Sequence, residues 1–303
     1  MKQAYSGTLM LTGANGFIGS SVTFRFAEAG WRVYAGSRSP ADTPLHPNVI
    51  PFEWSIPGNC QLPKVIDSGN HRRVFLHLAY TTTYAKGTTA SKTNLQGTRL
   101  ARRLALQQGF HQQVFISSCS AHSSALSQYG RSKYLLEKDF RTAQDLVLRP
   151  ALVIGPGGLF ERMVGTLRKS PMIPLFDCGR QPVQVVHRSA LTEVIFQAIT
   201  QQQTGRLVVA SPGVLSMKKF MALIARGLGK QPNYLRLPAK PLLPFIQSAE
   251  ALGVKLPITA ENLLGLMALK AQKPSSKHAL LGTELVPAID VIVNELKHQT
   301  KGH

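Results

Sequence analysis

Apolar positions recur along this chain with two periods, and the switches between them outline a fold. Leu9 to Leu11 form a short apolar run, Phe17, Ile18, Val22 and Phe26 follow at helical spacing, and WRVYAG after Gly30 resumes an extended pattern. The spacing predicts strand, turn, helix, strand, with Gly30 as a C-cap residue. Asn48 to Trp54 predicts a third strand. Arg73 to Ala79 predicts a fourth, almost wholly apolar, as a parallel strand covered on both faces must be. A long helix is predicted from Thr88 to Gln108, with Asn94, Gly97, Ala101 and Leu104 on one face and Arg99, Arg102 and Arg103 mostly on the other. QVFISS reads as a fifth strand, YGRSKYLLEKDF as a helix, and DLVLRPALVIGPG as a sixth strand that breaks at Gly155-Pro156-Gly157.

Strands alternating with helices predict an α/β domain, a doubly wound parallel sheet with right-handed crossovers. After Gly157 prolines punctuate shorter elements. HRSALTEVIFQAI and SMKKFMALIARGLG are amphipathic helices, with the strand GRLVVAS between them. Residues 233–271 read as a helical hairpin with apolar faces. Such faces can pack on the main body, on a second subunit or on a membrane surface, and the main body is the default.

Composition adds limits. The 303 residues are 44% hydrophobic, enough to bury a real core, and no run of 18 or more apolar residues predicts a transmembrane segment. The N-terminus lacks a signal-like apolar block, so a soluble cytoplasmic protein is expected. Cys60, Cys119 and Cys178 are odd in number and far apart, which suggests neither a disulfide framework nor a metal site. Thirty-five Lys and Arg against 15 Asp and Glu give +20, a charge that attracts phosphorylated cofactors, nucleotide-linked sugars, nucleic acid or anionic lipid. The cations are scattered and no nucleic-acid recognition motif is present, so nucleic acid is the remote alternative among these.

TGANGFIG changes the picture most. Gly13, Gly16 and Gly19 lie at a strand-to-helix turn, where glycine lets the backbone approach a pyrophosphate and the helix N-terminus supplies free N–H groups. With Asn15, Phe17 and Ile18 they form the expected dinucleotide turn. An acidic residue at the end of the second strand would hold the adenosine ribose. YAGSRSP has Ser37 and Arg38 there, which suits a 2′-phosphate, so NADP(H) is favoured and NAD(H) remains open.

With these pieces in order, the chain resembles the short-chain dehydrogenase/reductase superfamily, in its extended and atypical, NAD-dependent epimerase/dehydratase-like branch. The resemblance rests on TGANGFIG at 12–19, LHLA at 76–79, TNLQGTRLA at 93–101, VFISS at 114–118, YGRSK at 129–133, LRPALVIGPG at 148–157 and QPVQVVHRSAL at 181–191. It implies a Rossmann-like dinucleotide domain over 1–155, rejoined by about 181–210. It also implies a smaller, mostly helical substrate lobe from 156–180 and 211–303.

The resemblance further implies that Tyr129 and Lys133 match the family's Tyr-x-x-x-Lys. Four residues apart on a helix is one face. The lysine and the nicotinamide would lower the phenol's pKa and let it exchange a proton with a hydroxyl or carbonyl, and Lys133 would hold the nicotinamide ribose. Ser118 would fix the reacting oxygen, with Ser117 and Ser120 as competitors. Leu78 and Ala79 would pass beneath the cofactor, Thr81 and Thr82 could touch cofactor or substrate, and Pro150 would lie near the nicotinamide amide. Asn94 would support the site.

Two departures bear on substrate. The span from Ser118 to Tyr129 is too short for the usual sugar-nucleotide loop, and VHRSAL has Arg188 and Ser189 where relatives often show two acids. No acid follows closely after Ser118 either, which counts against 4,6-dehydratase chemistry. The expected function is NADP(H)-dependent oxidoreductase or epimerase chemistry on a small-molecule substrate, anionic or nucleotide-linked if its pocket is basic. A non-catalytic NADPH-binding scaffold is the alternative, and a homodimer is open.

Overall fold

The structure is a computed structural model that describes residues 5–43, 45–56, 58–65, 72–81, 90–170, 172–254, 256, 258–275 and 282–301. The expected helix start at Thr88, and Thr82, lie outside the described residues.

Seven strands form one all-parallel sheet: β1 (Thr8–Thr12), β2 (Arg32–Ser37), β3 (Val49–Glu53), β4 (Arg73–His77), β5 (Gln112–Ile116), β6 (Leu146–Pro150) and a late strand, Gly205–Val209. Their order across the sheet is late strand-β6-β5-β4-β1-β2-β3. The order reverses between β1 and β4, so the ends of these two strands open the crevice where a doubly wound sheet takes its ligand. The helices are α1 (Gly19–Glu28), α2 (Ala90–Gln107) and α3 (Gln128–Glu137).

Strand alternation divides the core between the two faces of the sheet. Leu9 and Leu11 of β1 pack with Val22 and Phe26 of α1 on one face, whereas Met10 packs with Phe75, Ala101 and Ala105 beneath α2 on the other. Phe115 and Val147 meet Leu136 of α3. The sequence expectation placed Arg102 mostly on the outer face of α2. Instead its side chain is only 16% exposed and donates to the buried carboxylate of Asp145 at 2.8 Å.

DLVLRPALVIGPG, expected as one strand, makes two. β7 (Leu152–Ile154) leaves the main sheet and pairs with β10 (Val185–His187), the nearby β8 (Ile173–Phe176) and β9 (Pro182–Val183) being short. The chain switches sheets just after Pro150, which has no N–H to donate. Next come α4 (Gly158–Lys169), α5 (Arg188–Thr200) and the late sheet strand, here β11. Then follow β12 (Leu215–Ser216), α6 (Met217–Gly227), β13 (Tyr234–Leu237), α7 (Ala239–Ala251), α8 (Ala260–Met267) and α9 (Ala288–Lys301).

A second core joins Phe160 and Val164 of α4, Phe220 and Ile224 of α6 and Ile292 of α9. A small third one holds the α7–α8 hairpin through Phe176, Ile246 and Leu263.

Candidate active site

The glycine turn is built for a close backbone approach. Gly13 has φ +84°, and a Cβ there would come 2.9 Å from the backbone N of Ala79. A Cβ on Gly19 would collide with the Gly13 carbonyl oxygen. The turn thus lies directly against the backbone of Leu78 and Ala79. Ile18 occupies the N-cap of α1 without a capping side chain, and the turn's own backbone takes one first-turn donor, Ser20 N donating to Gly16 O at 3.0 Å.

Asn15 does something more local. Its Nδ2 donates to Ser39 O at 2.7 Å and its Oδ1 accepts from Thr43 Oγ1 at 2.9 Å, so it braces the loop after β2. Phe17 packs beneath the glycines of the 155–158 turn, with the Arg188 guanidinium 5.3 Å from its ring centroid. Ser37 is buried, and its hydroxyl has no partner. An orphaned hydroxyl beside the exposed Arg38 fits a ligand that accepts hydrogen bonds. Sequence reasoning missed a neighbour: in the β2–β3 register Glu53 lies opposite Ser37.

Ser127 caps α3 by accepting from Gly130 N. A second acceptor comes from far along the chain, as Glu261 Oε1 takes the N–H of Tyr129 at 2.8 Å. Tyr129, Lys133 and Glu137 then follow on one face of α3. Lys133 is 3% exposed and its Nζ donates to Ile116 O at 2.7 Å. The ammonium lies 4.7 Å from the Phe115 ring, 4.9 Å from Tyr80 and 6.0 Å from Tyr129. Burial holds its pKa down to about 7, partly offset by Glu137.

Tyr129 departs from the expected direction. Burial pushes its pKa up, while a hydrogen bond with Ser118 pulls the other way. The phenol is therefore protonated at neutral pH and poised as an acid.

The two candidate serines have separate fates. Ser118 Oγ is half-buried, interacts with Tyr129 and accepts from Ser120 N at 3.1 Å. Ser117 points to the opposite side of the strand end and donates to Glu137 Oε1 at 2.5 Å. That carboxylate is also gripped by Arg149 through Nε (2.7 Å) and Nη2 (2.6 Å). Ser117 thus belongs to a buried ion pair behind the site.

Cys119 donates to Arg149 O at 3.4 Å, and burial pushes its thiol up to about 12, so it is inert packing. Pro150 O accepts from Cys119 N at 3.0 Å. Asn94 is fully buried and clamps Thr81, its Oδ1 accepting from the backbone N (2.9 Å) and its Nδ2 donating to the O (2.8 Å). His122 ties its loop to Ala268 O at 3.0 Å.

Tyr80 is a further residue that sequence reasoning left out. Its ring meets that of Tyr129 edge-on at 5.0 Å, its hydroxyl bonds Ser132 at 2.9 Å, and burial pushes it up to about 12. His77, at the end of β4, is fully buried between Thr12 (2.7 Å) and Thr98 (2.9 Å). Burial and the charge of Lys133 lower its pKa to about 3, so the imidazole is neutral.

Among the described residues no helix is long and apolar enough to cross a membrane, and no group of metal-binding side chains forms.

Comparison with known proteins bears on the family and the fold. The model of the family described as NAD dependent epimerase/dehydratase matches residues 9–210. Ceramide reductase of Caulobacter vibrioides (strain NA1000 / CB15N) is 27% identical over 242 residues, 77% of this chain and 74% of that protein. UDP-glucose 4-epimerase of Thermotoga maritima, solved with UDP-glucose, has a TM-score of 0.71 at 20% identity, over 97% of this chain and 99% of that one. A human epimerase family protein solved with NADPH has a TM-score of 0.69 at 17% identity, over 96% and 99%. MoeE5, solved with UDP-glucose and NAD, has a TM-score of 0.69 at 17% identity, over 98% and 99%. At these identities the solved structures share the fold.

Proposed function

The chain belongs to the NAD dependent epimerase/dehydratase family, and on that footing we propose that it is an NADP(H)-dependent reductase of a ketone on a long-chain, apolar molecule. The observation that carries this reading is the Ser118–Tyr129–Lys133 group, its lysine buried and its phenol kept protonated by desolvation.

A nicotinamide, when bound, supplies the hydride. Tyr129 gives its proton to the oxygen of the carbonyl, and Ser118 holds that oxygen in line. Lys133 stabilises the phenolate left behind and keeps its own position through Ile116 O. Gly13, Gly16, Gly19, Leu78, Ala79 and Pro150 offer backbone to the dinucleotide. Arg38 and the free Ser37 hydroxyl favour a 2′-phosphate, while Glu53 opposes one. NADPH affinity should therefore rise in Glu53→Gln and fall in Arg38→Ala, with NADH affinity little changed in either.

Two observations support an apolar substrate over a sugar nucleotide. The curated relative at 27% identity is named a ceramide reductase. The wall beside Tyr129 is α8, on which half-buried Leu264 shares a face with Glu261 and Gly265.

The test offers NADPH with a long-chain keto-amide to purified protein. Tyr129→Phe should bind NADPH normally and lose about 10²- to 10⁴-fold in turnover. Unchanged turnover in that variant overturns the mechanism. Turnover of UDP-glucose but not of the keto-lipid overturns the substrate class.

A further inference from the structure

We propose that the outer face of α7, together with the basic cavity on α6, docks the protein on an anionic lipid bilayer. Each exposed apolar residue elsewhere could be incidental, but α7 concentrates them. Phe245 is 72% exposed and Leu252, one heptad on, 82%. Pro241, Pro244, Ser248 and Ala251 complete that face, and Val254 follows at 51% exposure. The opposite face of α7 is occupied, because Ile246 packs with Leu263 of α8.

The charges beside it are one-sided. From Ser211 to Lys273 the sequence has nine Lys or Arg and two acids, Glu250 and Glu261. Both acids are turned onto backbone: Glu250 accepts from Ala260 N and Glu261 from Tyr129 N. Lys230 is spent on the carbonyls of Leu167, Arg168 and Ser170, but five other cations of this stretch face water. Lys218, Lys219 and Arg226 are exposed around a cavity of about 420 Å³ that Pro232 and Tyr234 close from the other side. From Tyr234 the exposed strand β13 carries Arg236 outward and leads straight into α7 and Lys240. Among the described residues no carboxylate pairs with any of these five cations.

An anionic bilayer accepts both halves of this surface, apolar side chains among its acyl chains and cations at its phosphates. A second copy of the chain would bring the same cations against themselves, and a nucleic acid would leave Phe245 and Leu252 in water. The helix is too short to span and contains Pro244, which suits lying in the interface. Because α8 contacts both α7 and α3, this surface would place the wall of the Tyr129 site at the bilayer. The proposal is independent of the hydride chemistry and is read without turnover.

The experiment is sedimentation of the full chain with phosphatidylcholine vesicles, with and without phosphatidylglycerol, at low and high salt. Binding is expected only with phosphatidylglycerol and should weaken in high salt. Lys218→Ala with Lys219→Ala and Arg226→Ala should weaken it by about fivefold per charge removed. Phe245→Ser with Leu252→Ser should weaken it at least as much, and thermal melts should show both variants folded. Absence of vesicle binding, or binding equal in wild type and both folded variants, overturns the proposal. So does a wild-type dimer that the Ser pair dissociates without any vesicle binding, or binding to transfer RNA but not to vesicles.

Discussion

Around α3 the protein buries what is normally left in water, and at α7 it leaves in water what is normally buried. His77, Lys133, Glu137 and Arg149 are all under 10% exposed at the ends of β4, β5 and β6, whereas Phe245 and Leu252 on α7 are 72% and 82% exposed. The two departures differ in cost. Burying a charge is expensive and survives only with partners, so each of these four side chains is held by a neighbour. Exposing a leucine costs the folded chain little, so the α7 face has no partner within the described chain to hold it. The first region holds charged groups in fixed places, and the second keeps a surface available.

Substitutions should separate the two regions. The largest effect is expected at Glu137→Ala, which strands Arg149 and Ser117 behind the site and should lose about 3–5 kcal/mol in urea unfolding. A loss under about 1 kcal/mol would mean water already reaches the pair.

Lys133→Met tests the same burial through pH. In the folded chain the ammonium has a pKa of about 7, against 10.5 as its ordinary value. Between these values the unfolded chain binds the extra proton, so wild-type stability rises with pH from 7 to 10.5 and falls as pH drops through that window. The rise should be roughly 4 kcal/mol larger in wild type than in Lys133→Met. Parallel curves for the two proteins would contradict the burial.

His77→Gln is the acid counterpart. With a folded pKa of about 3 against 6.5, the unfolded chain takes the proton first as pH falls. Wild type should lose roughly 3 kcal/mol between pH 6.5 and 4 that the glutamine variant keeps.

The smallest effect sharpens the contrast. Phe245→Ser with Leu252→Ser should change stability by less than about 0.5 kcal/mol per site and leave turnover of a water-soluble ketone unchanged. A large loss of stability would show that the face packs within the fold after all.

Local pattern carried much of this architecture. The apolar run of β1, the glycines of the turn and the spacing of Tyr129 and Lys133 are near neighbours in sequence, so periodicity reveals them. Ser118 needed only the end of β5. What escaped is made of long separations. Arg102 reads as an outer-face residue until Asp145, 43 residues away, is placed beneath it. What holds Ser117 away from Ser118 is also distant, since Glu137 and Arg149 take its hydroxyl into their ion pair. The raised phenol pKa was missed because desolvation depends on what covers a group, and Tyr80 and α8 cover this one. The break of one expected strand into β6 and β7 follows from pairing to β10, some thirty residues on, which no single-segment pattern encodes.

The bond from Tyr129 N–H to Glu261 has a consequence in time. A ribosome makes the chain from its N-terminus, so the helix bearing the tyrosine is synthesised 132 residues before the acid that secures its first turn. Gln272, whose Nε2 donates to Cys119 O at 3.0 Å, arrives later still. A nascent chain can assemble its glycine turn and the first six strands while still growing, yet its Ser-Tyr-Lys corner must wait for the last fifth of the message. A truncated product ending before residue 261 would carry every residue of the Ser-Tyr-Lys group and still lack the frame that sets it.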